Sequence, residues 1–154
     1  MKCLRVLAGV LAALMATAGS LVVADPALAA LPRLCSDLQW PSGREVELTN
    51  NNNGGGSYIA ATLCWGAIGN GYYNTTVSFD VLDDQADGSG ATIRMEWTGT
   101  DGATHYDVPP AGERAWTYLS QAGGGWNRDN IKGLYVRACL TNTTLEAFNC
   151  GSKG

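Results

Sequence analysis

The chain has 154 residues, of which 45% are hydrophobic, and it contains ten Lys and Arg, fourteen Asp and Glu, one His and five Cys. The formal net charge of −4 disfavours binding to nucleic acid phosphates and to anionic membrane surfaces, so we expect neither class of partner. The length indicates one domain that can bury a core without a metal ion.

The first predicted element is a cleaved signal peptide at residues 1–29. Lys2 and Arg5 precede an uncharged apolar run from Val6 to Ala24, and Ala27-Leu28-Ala29 has the small-x-small pattern of a signal peptidase site. A transmembrane anchor is the alternative, because about 19 apolar residues can span a bilayer. Since the run is rich in Ala and Gly and ends in a cleavage motif, we expect a secreted, extracellular protein without membrane attachment.

After cleavage, 125 residues would remain, which we divide into an extended N-terminal segment at 30–43 and one domain at 44–154. In an oxidising compartment the remaining cysteines are expected to form disulfides. Four cysteines allow three pairings. Cys139 and Cys150 bracket a short polar turn, which favours their pairing and leaves Cys35 for Cys64. A metal or redox role is not expected, because the chain has no Cys-x-x-Cys motif.

Period-two alternation of apolar and polar residues recurs along the rest of the chain, as where Val46 and Leu48 alternate with Glu45 and Glu47. The predicted strands are 44–50, 57–65, 74–83, 91–98, 104–108, 115–119, 134–140 and 145–150. Gly-, Asn- and Asp-rich turns separate them, the longest being QAGGGWNRDN at 121–130. Strands with one apolar face need a second layer to cover it, so we predict an all-β, disulfide-stabilised antiparallel β-sandwich of seven or eight short strands. A small barrel is the second choice.

The single histidine, His105, is the candidate for acid–base catalysis. If the strands flanking the GTDG turn form a hairpin, Glu96, Arg94, Asp107 and Arg114 would lie near it. A carboxylate, a histidine and an arginine can cleave RNA, but any polar sheet face can contain the same trio, and the acidic surface weighs against RNA. A Ser-His-Asp site lacks a Gly-x-Ser-x-Gly elbow. We therefore expect no enzymatic activity.

Carboxylates suggest two further sites, neither of which is favoured. A glycosidase pair could come from Glu96, Asp101, Asp107 and Glu113, but no spacing among them predicts a raised pKa. In the loop DDQADGSG, calcium-ligand positions one, three, five and six of an EF-hand match the residues Asp83, Gln85, Asp87 and Gly88. Position twelve is Arg94 instead of Glu, and strands flank the loop. A solvated loop is therefore preferred over a calcium site, and no cofactor is expected.

Aromatic residues in predicted turns are the candidate binding residues. Trp126 falls in the Gly-rich segment 121–130, while Trp65, Tyr72 and Tyr73 flank the segment GAIGNGYYN. Trp40 lies in the N-terminal segment. Aromatic rings offer rigid contact area to a sugar face or to a protein partner. The alternative is that these rings fold back and cap the open end of the sandwich.

Residues 77–151 resemble a group of small secreted proteins of actinobacteria. The shared features are an ADG-containing loop (DDQADGSG), paired strands around a GTDG turn, a Gly-rich segment, and a closing GLYVRAC strand followed by another Cys. The leader ending in DPALA fits the same source. In size, export signal and expected β-rich character the chain is similar to the small adaptor of umbrella toxin particles, which joins a lectin-like protein to a large toxin scaffold. The resemblance implies a role and transfers no site residue.

These features together favour a secreted, non-enzymatic interaction module. We expect a protein–protein adaptor or structural component of an extracellular complex, such as an antibacterial toxin particle, with another secreted protein as its partner. The first alternative is a carbohydrate-binding module that recognises a cell-surface glycan. The second alternative is a small secreted hydrolase such as a ribonuclease.

Overall fold

The computed structural model describes residues 30–154, so the signal peptide predicted at 1–29 lies outside the described residues. The described part folds into one short helix and seven strands: α1 (Arg33–Asp37), β1 (Ser42–Thr49), β2 (Ser57–Gly69), β3 (Tyr72–Asp83), β4 (Gly90–Thr98), β5 (Thr104–Asp107), β6 (Gln121–Thr141) and β7 (Ala147–Phe148). Single-turn 3-10 helices lie at Asn51–Asn53 and Ala111–Glu113. None of the helices within residues 30–154 has the length and apolar character needed to cross a membrane.

The strands form an antiparallel open sheet in the order β1-β2-β3-β6-β4-β5, with β7 paired to β6. The 21-residue strand β6 belongs to both halves of this sheet. Its first part, from Gln121 to Arg128, pairs with β3, and its second part, from Lys132 to Thr141, pairs with β4. Near the junction of the two parts, Asn130 and Gly133 have left-handed φ angles of 56° and 64°. The predicted sandwich-like, mostly antiparallel β fold is confirmed, with β6 shared between its two layers.

The core lies between the two layers and follows the predicted alternation. On β3 the residues Val77, Phe79 and Val81 are at most 3% exposed. The facing strand β4 buries Ile93, Met95 and Trp97 to the same degree. Apolar residues at every second position thus place one face of each layer in a common core, where they are protected from water.

Two segments differ from the sequence prediction. Residues 115–119, predicted as a strand, form a turn in which only Ala115 makes a β-bridge, to Ala91. Residues 121–130, predicted as a turn, form the first half of β6, because pairing with β3 overrides the weak strand propensity of three consecutive glycines. Trp126 therefore lies in a strand and not in a loop.

Both ends of the described part of the chain are tied to the sheet. The predicted disulfides Cys35–Cys64 and Cys139–Cys150 are both formed. The N-terminal segment 30–43, expected to be extended, contains the helix α1 and the start of β1. At the other terminus, the amide and carbonyl of Gly154 each bond to Val136 at 3.1 Å, so the C-terminal residues continue the pairing along β6.

Candidate functional site

A cleft of about 430 Å³ opens between the two layers at one end of the molecule, which we call the cleft end. Its lining comes from β1, β2, β3 and the bend of β6, and consists of Arg44, Leu63, Trp65, Tyr73, Thr75, Ile131, Lys132, Gly133 and Leu134. The volume is in the range of small-ligand pockets, which are typically about 300 to 1,000 Å³. A single side chain or a small molecule therefore fits within it.

Strand alternation explains why these side chains meet. Leu63 and Trp65 lie on the core-facing side of β2, and Trp65 stands opposite Thr75 in the register with β3. Arg44 stands opposite Leu63 in the register with β1, so it also lies on the core-facing side. Gly133, which has no side chain to occupy the space, contributes to the opposite wall. The cleft thus lies at the end of the core. Here apolar side chains still face inwards, but no side chain of residues 30–154 fills the space between the layers.

The rim of the cleft is cationic. Arg44 forms no salt bridge among the residues that the structure describes. The Lys132 ammonium lies 5.0 Å from the centroid of the Tyr72 ring, in cation–π geometry. No carboxylate is among the residues that line the cleft. In a chain with net negative charge, this is a local positive field beside an apolar surface.

The predicted aromatic residues divide into two groups. Trp65 and Tyr73 line the cleft together, whereas Tyr72 is not among the lining residues and contacts the cleft only through Lys132. Trp126 is elsewhere: its indole nitrogen donates to Asp107 at 3.1 Å, and its ring centroid is 5.2 Å from that of Trp97. Trp126 therefore braces the two layers. Its predicted place in an exposed loop is wrong, because its backbone pairs with Val77 in the sheet.

Trp40, the remaining candidate, lies on the N-terminal segment next to the start of β1. It is half-buried, and a Cβ atom added at Gly66 would lie 3.5 Å from its ring. The absence of a side chain at Gly66 thus lets Trp40 pack on β2.

His105 lies in a second cavity of about 280 Å³ at the cleft end. Its Nε2 is 3.0 Å from each carboxylate oxygen of Asp101, and its ring stacks on Trp97 with centroids 5.8 Å apart. The hydrogen bond from His105 is the main reason that the pKa of Asp101 is lowered. Arg128, whose guanidinium carbon is 4.8 Å from the Trp97 ring centroid, lines the same cavity. A histidine, a carboxylate and an arginine do meet here.

The partners of His105 are not the expected ones. His105 pairs with Trp97, and Tyr106 pairs with Glu96, so Glu96 lies on the opposite face of the sheet from the imidazole. Arg94 forms salt-bridge contacts with Glu96 on that opposite face. The sequence suggests Asp101 only as a glycosidase carboxylate. The GTDG turn, which places Asp101 four residues before His105, is the signal that could have identified it.

The outer face of β4 holds a charged cluster around Glu96, which is 6% exposed. Burial alone would raise the pKa of Glu96, but hydrogen bonds from Tyr135 and Arg94, together with the charges of Arg94 and Arg137, lower it overall. The Nε of Arg137 is 3.0 Å from a Glu96 oxygen. These charges neutralise one another, so the cluster stabilises the sheet and offers no free reactive group.

The other two glycosidase candidates also have structural partners. Asp107 accepts hydrogen bonds from the backbone of Val108 and from Trp126. Glu113 lies against Gly124 of β6. Within residues 30–154, no three His, Cys, Asp or Glu side chains stand gathered as a preformed metal centre.

The opposite end of the sandwich, which we call the turn end, carries the turn at 115–120. Leu119 is 62% exposed with a left-handed φ of 62°, and Tyr118 is 56% exposed. The amide of Leu119 donates to the carbonyl of Asp83 at 2.7 Å, and that of Ser120 donates to Thr117 at 2.7 Å. A left-handed leucine costs about 1 to 2 kcal/mol. The turn is therefore held rigidly in a strained form that exposes apolar side chains.

A second strained leucine lies at the same end. Leu145 has a φ of 64° and is 41% exposed. Arg114, itself 4% exposed, donates hydrogen bonds to the carbonyls of Pro109 at 2.7 Å and Leu145 at 2.8 Å and to the Thr141 hydroxyl. This buried arginine connects the loop before the turn with the loop that holds Leu145. Both loops are thus fixed relative to the sheet.

Comparison of this chain with protein-family models, with curated proteins and with solved structures yields no match. Its function is therefore inferred from the residues at the two ends.

Proposed function

We propose that this protein is a secreted, non-enzymatic adaptor that binds one protein partner at the cleft end and a second at the turn end. The observation that carries the proposal is the presence of two unlike apolar surfaces at opposite ends of one rigid sheet. Tyr73 and Asp83 are ten positions apart on β3, which corresponds to roughly 30 Å. Two partners at these ends would not collide.

At the cleft end the surface is concave. Trp65, Tyr73 and Leu134 offer an apolar wall of the size that one aromatic or aliphatic side chain fills. Arg44 and Lys132 stand at the rim with no carboxylate among the lining residues. The cleft therefore suits a partner segment with an apolar anchor next to a carboxylate.

At the turn end the surface is convex and its accessible charge is acidic. Leu119 and Tyr118 project from the fixed turn, with the exposed carboxylates Asp87 and Glu146 in neighbouring loops. Arg114 is buried and offers no positive charge to a partner. Backbone strain of this kind is concentrated at functional sites. The matching partner has an apolar pocket with a basic rim.

An extracellular place of action fits the two disulfides, because such bonds persist in oxidising compartments. The predicted signal peptide at 1–29 supports export. The resemblance to the adaptor of umbrella toxin particles supports membership of an extracellular antibacterial complex. We propose this as the setting in which the two ends are used.

A cell-surface glycan is the alternative ligand of the cleft, since a pyranose ring can stack on Trp65. Thr75 is the only lining residue with a neutral aliphatic hydroxyl, and no Asn, Gln, Asp or Glu lines the cleft. Sugar sites need polar groups that bond the ring hydroxyls, so the lining supports an anionic peptide segment better than a neutral sugar.

A small hydrolase is the second alternative, and the bond between His105 and Asp101 is the observation that favours it. A carboxylate can orient a histidine for general base catalysis, and Arg128 in the same cavity can stabilise an anionic transition state. Turnover of RNA, peptidoglycan or casein that His105→Gln abolishes would replace the adaptor proposal.

The adaptor proposal predicts that two different proteins co-purify with the native protein from the culture fluid of the producing cells. Tyr73→Ala should remove one of them, because it opens the apolar wall, while Leu119→Asp should remove the other. Co-purification followed by mass spectrometry measures both losses. Tyr106→Ser, at an exposed tyrosine on β5, is the matched control and should retain both proteins.

Recovery of the wild-type protein as a lone monomer at its native concentration would contradict the proposal. Loss of the same protein in both variants would reduce the adaptor to a one-surface binding module. A glycan array with the oxidised protein separates the carbohydrate alternative, since only that alternative predicts a signal that Trp65→Ala abolishes.

A further inference from the structure

The loop at residues 83–90 holds a polar cluster of which the proposed function uses only the exposed carboxylate of Asp87. Asp83 is the last residue of β3 and lies on its core-facing side, where it is 1% exposed. One of its carboxylate oxygens accepts a hydrogen bond from the amide of Gln85 at 3.2 Å. Its other oxygen, Oδ2, is buried and has no hydrogen-bond partner. A buried unpaired carboxylate oxygen is costly, so it needs a partner.

Two more buried oxygens in the same region also lack partners, namely Oγ of Ser57 and Oδ1 of Asp84. Ser57 is fully buried and stands directly opposite Asp83 in the register of β2 and β3. Residues directly opposite in an antiparallel pair have Cβ atoms about 4.5 to 5.5 Å apart. The amide of Asp84 bonds to the carbonyl of Gly56 at 3.3 Å, which holds Asp84 beside the same strand.

A third carboxylate completes the cluster. A Cβ atom added at Gly56 would lie 3.1 Å from Oδ2 of Asp87, so this oxygen lies next to the residue that precedes Ser57. Burial raises the pKa of Asp83, and the negative charges of Asp87 and Asp84 add to that rise. The three carboxylates therefore share one electrostatic environment, and no Lys or Arg forms a salt bridge with any of them in the described chain.

We propose that this cluster is a calcium site, formed by Asp83, Asp84 and Asp87 together with the hydroxyl of Ser57. All four side chains offer hard oxygen ligands, which Ca²⁺ prefers, and its flexible coordination accepts an irregular set completed by carbonyls and water. The carboxylates are not gathered as in a preformed metal centre. The proposal therefore requires side chains to reorient when the ion binds, first of all the exposed Asp87. Mg²⁺ demands near-ideal octahedral geometry and fits such a set less well.

This site differs from the EF-hand loop that the sequence suggests. Position twelve of that loop, Arg94, lies on the outer face of β4 in contact with Glu96 and takes no part. Instead, Ser57 from the neighbouring strand supplies an oxygen that the spacing of one loop cannot reveal. The site is formed by strand pairing and not by a continuous motif.

A cation at this position would also fix the turn end. The carbonyl of Asp83 accepts a hydrogen bond from the amide of Leu119 at 2.7 Å. The amide of Asp83 donates a hydrogen bond to the carbonyl of Ser120 at 3.1 Å. Ordering of Asp83 by calcium is thereby transmitted to the strained turn through two backbone hydrogen bonds. The expected consequence is slower hydrogen exchange at Leu119 when calcium is bound.

The test is a titration of the oxidised protein with CaCl2, followed by calorimetry and by thermal unfolding. We expect saturable binding of one ion per molecule, with a Kd on the order of 10⁻⁴ to 10⁻³ M as in other extracellular calcium modules. The Tm should rise in millimolar CaCl2 relative to EDTA, because the ion binds the folded state alone. MgCl2 at the same concentration should give a smaller rise.

Asp83→Asn should abolish the calcium response, while the metal-free variant melts no lower than the wild type, since a buried charge has been removed. Asp80→Asn, at an exposed residue of the same strand, is the matched control and should respond as the wild type does. If Asp83→Asn fails to fold, Ser57→Ala provides the second variant, with a weakened calcium response.

Two results would overturn the proposal. One is the absence of both heat and Tm change in millimolar CaCl2, which would leave the buried oxygens to an ordered water molecule. The other is an equal calcium response of Asp83→Asn and the wild type.

Discussion

The cleft end and the turn end are built by different means. The cleft end uses mainly regular strand residues, such as Trp65 and Tyr73, whose positions follow from alternation along β2 and β3, and its left-handed lining residue is a glycine, Gly133. The turn end depends on exceptions, namely the left-handed leucines Leu119 and Leu145 and the buried Arg114 that connects their loops. The concave surface forms where the regular core ends. The convex apolar surface instead depends on leucines whose left-handed φ angles are unfavourable and must be held by surrounding contacts.

The two ends also differ in the sign of their exposed charges. At the cleft end, Arg44 and Lys132 stand beside apolar side chains. At the turn end, the exposed charged residues Asp87 and Glu146 are acidic. Opposite ends of one small protein thus favour partners of opposite charge, and like-charge repulsion would prevent a partner of one end from binding the other.

The largest expected effect comes from opening the disulfide next to the cleft. Replacement of both Cys35 and Cys64 by Ala should lower the free energy of unfolding by roughly 3 to 4 kcal/mol, because the unfolded chain is no longer constrained by the 29-residue separation. Since Cys64 lies between Leu63 and Trp65, hydrogen exchange should accelerate more at the cleft end than at Leu119. Denaturant unfolding and native-state exchange measure the two effects.

The matched variant replaces Cys139 and Cys150 by Ala, which removes the shorter separation of 11 residues. In the chain-entropy model, this variant should lose less free energy of unfolding than the Cys35 and Cys64 variant does. Hydrogen exchange should accelerate first in the C-terminal segment. If exchange accelerates equally at both ends in the Cys35 and Cys64 variant, the local stabilities of the cleft end and the turn end are coupled, which contradicts this prediction.

A smaller effect tests the strain at the turn end. Leu119→Gly should raise the free energy of unfolding by up to about 1 kcal/mol, because glycine adopts a left-handed φ without steric cost. Leu38→Gly is the matched control: Leu38 is also exposed, at 51%, but its φ is −85°, so the substitution should destabilise. Urea unfolding of both variants decides the question, and a destabilised Leu119→Gly would mean that the turn is not strained.

The smallest effect concerns the sheet between the ends. Because the pKa of Glu96 is lowered below its ordinary value of 4.5, its contribution to stability is fully present above that value. The contribution is lost as the pH falls through the lower pKa of the folded state. Glu96→Gln should therefore flatten the fall of Tm with pH below about 4.5. Glu45→Gln, at an exposed glutamate, should leave the profile unchanged, and matching profiles for both variants would contradict this account.

The sequence predicts more of the cleft end than of the turn end, for physical reasons. Alternation in Val77 to Val81 fixes which side chains face the core, and the leader together with the cysteine spacing favours the disulfide pairing that is observed. Residues 115–119 alternate like a strand, so their sequence does not predict a leucine with a left-handed φ. The glycines of 121–130 predict a turn, because local propensity does not include the pairing with β3.

The position of β6 late in the chain has a consequence for the order of folding. β3 and β4 each pair with β6, and β6 begins only at Gln121. Under the export that we propose, a chain that crosses a membrane from its N-terminus would present β1 to β4 outside the cell before the strand that joins them has emerged. Neither layer can close until most of the polypeptide has been exported, so unpaired strand edges remain exposed meanwhile. If the protein is exported as proposed, its export and its folding are expected to be sequential events.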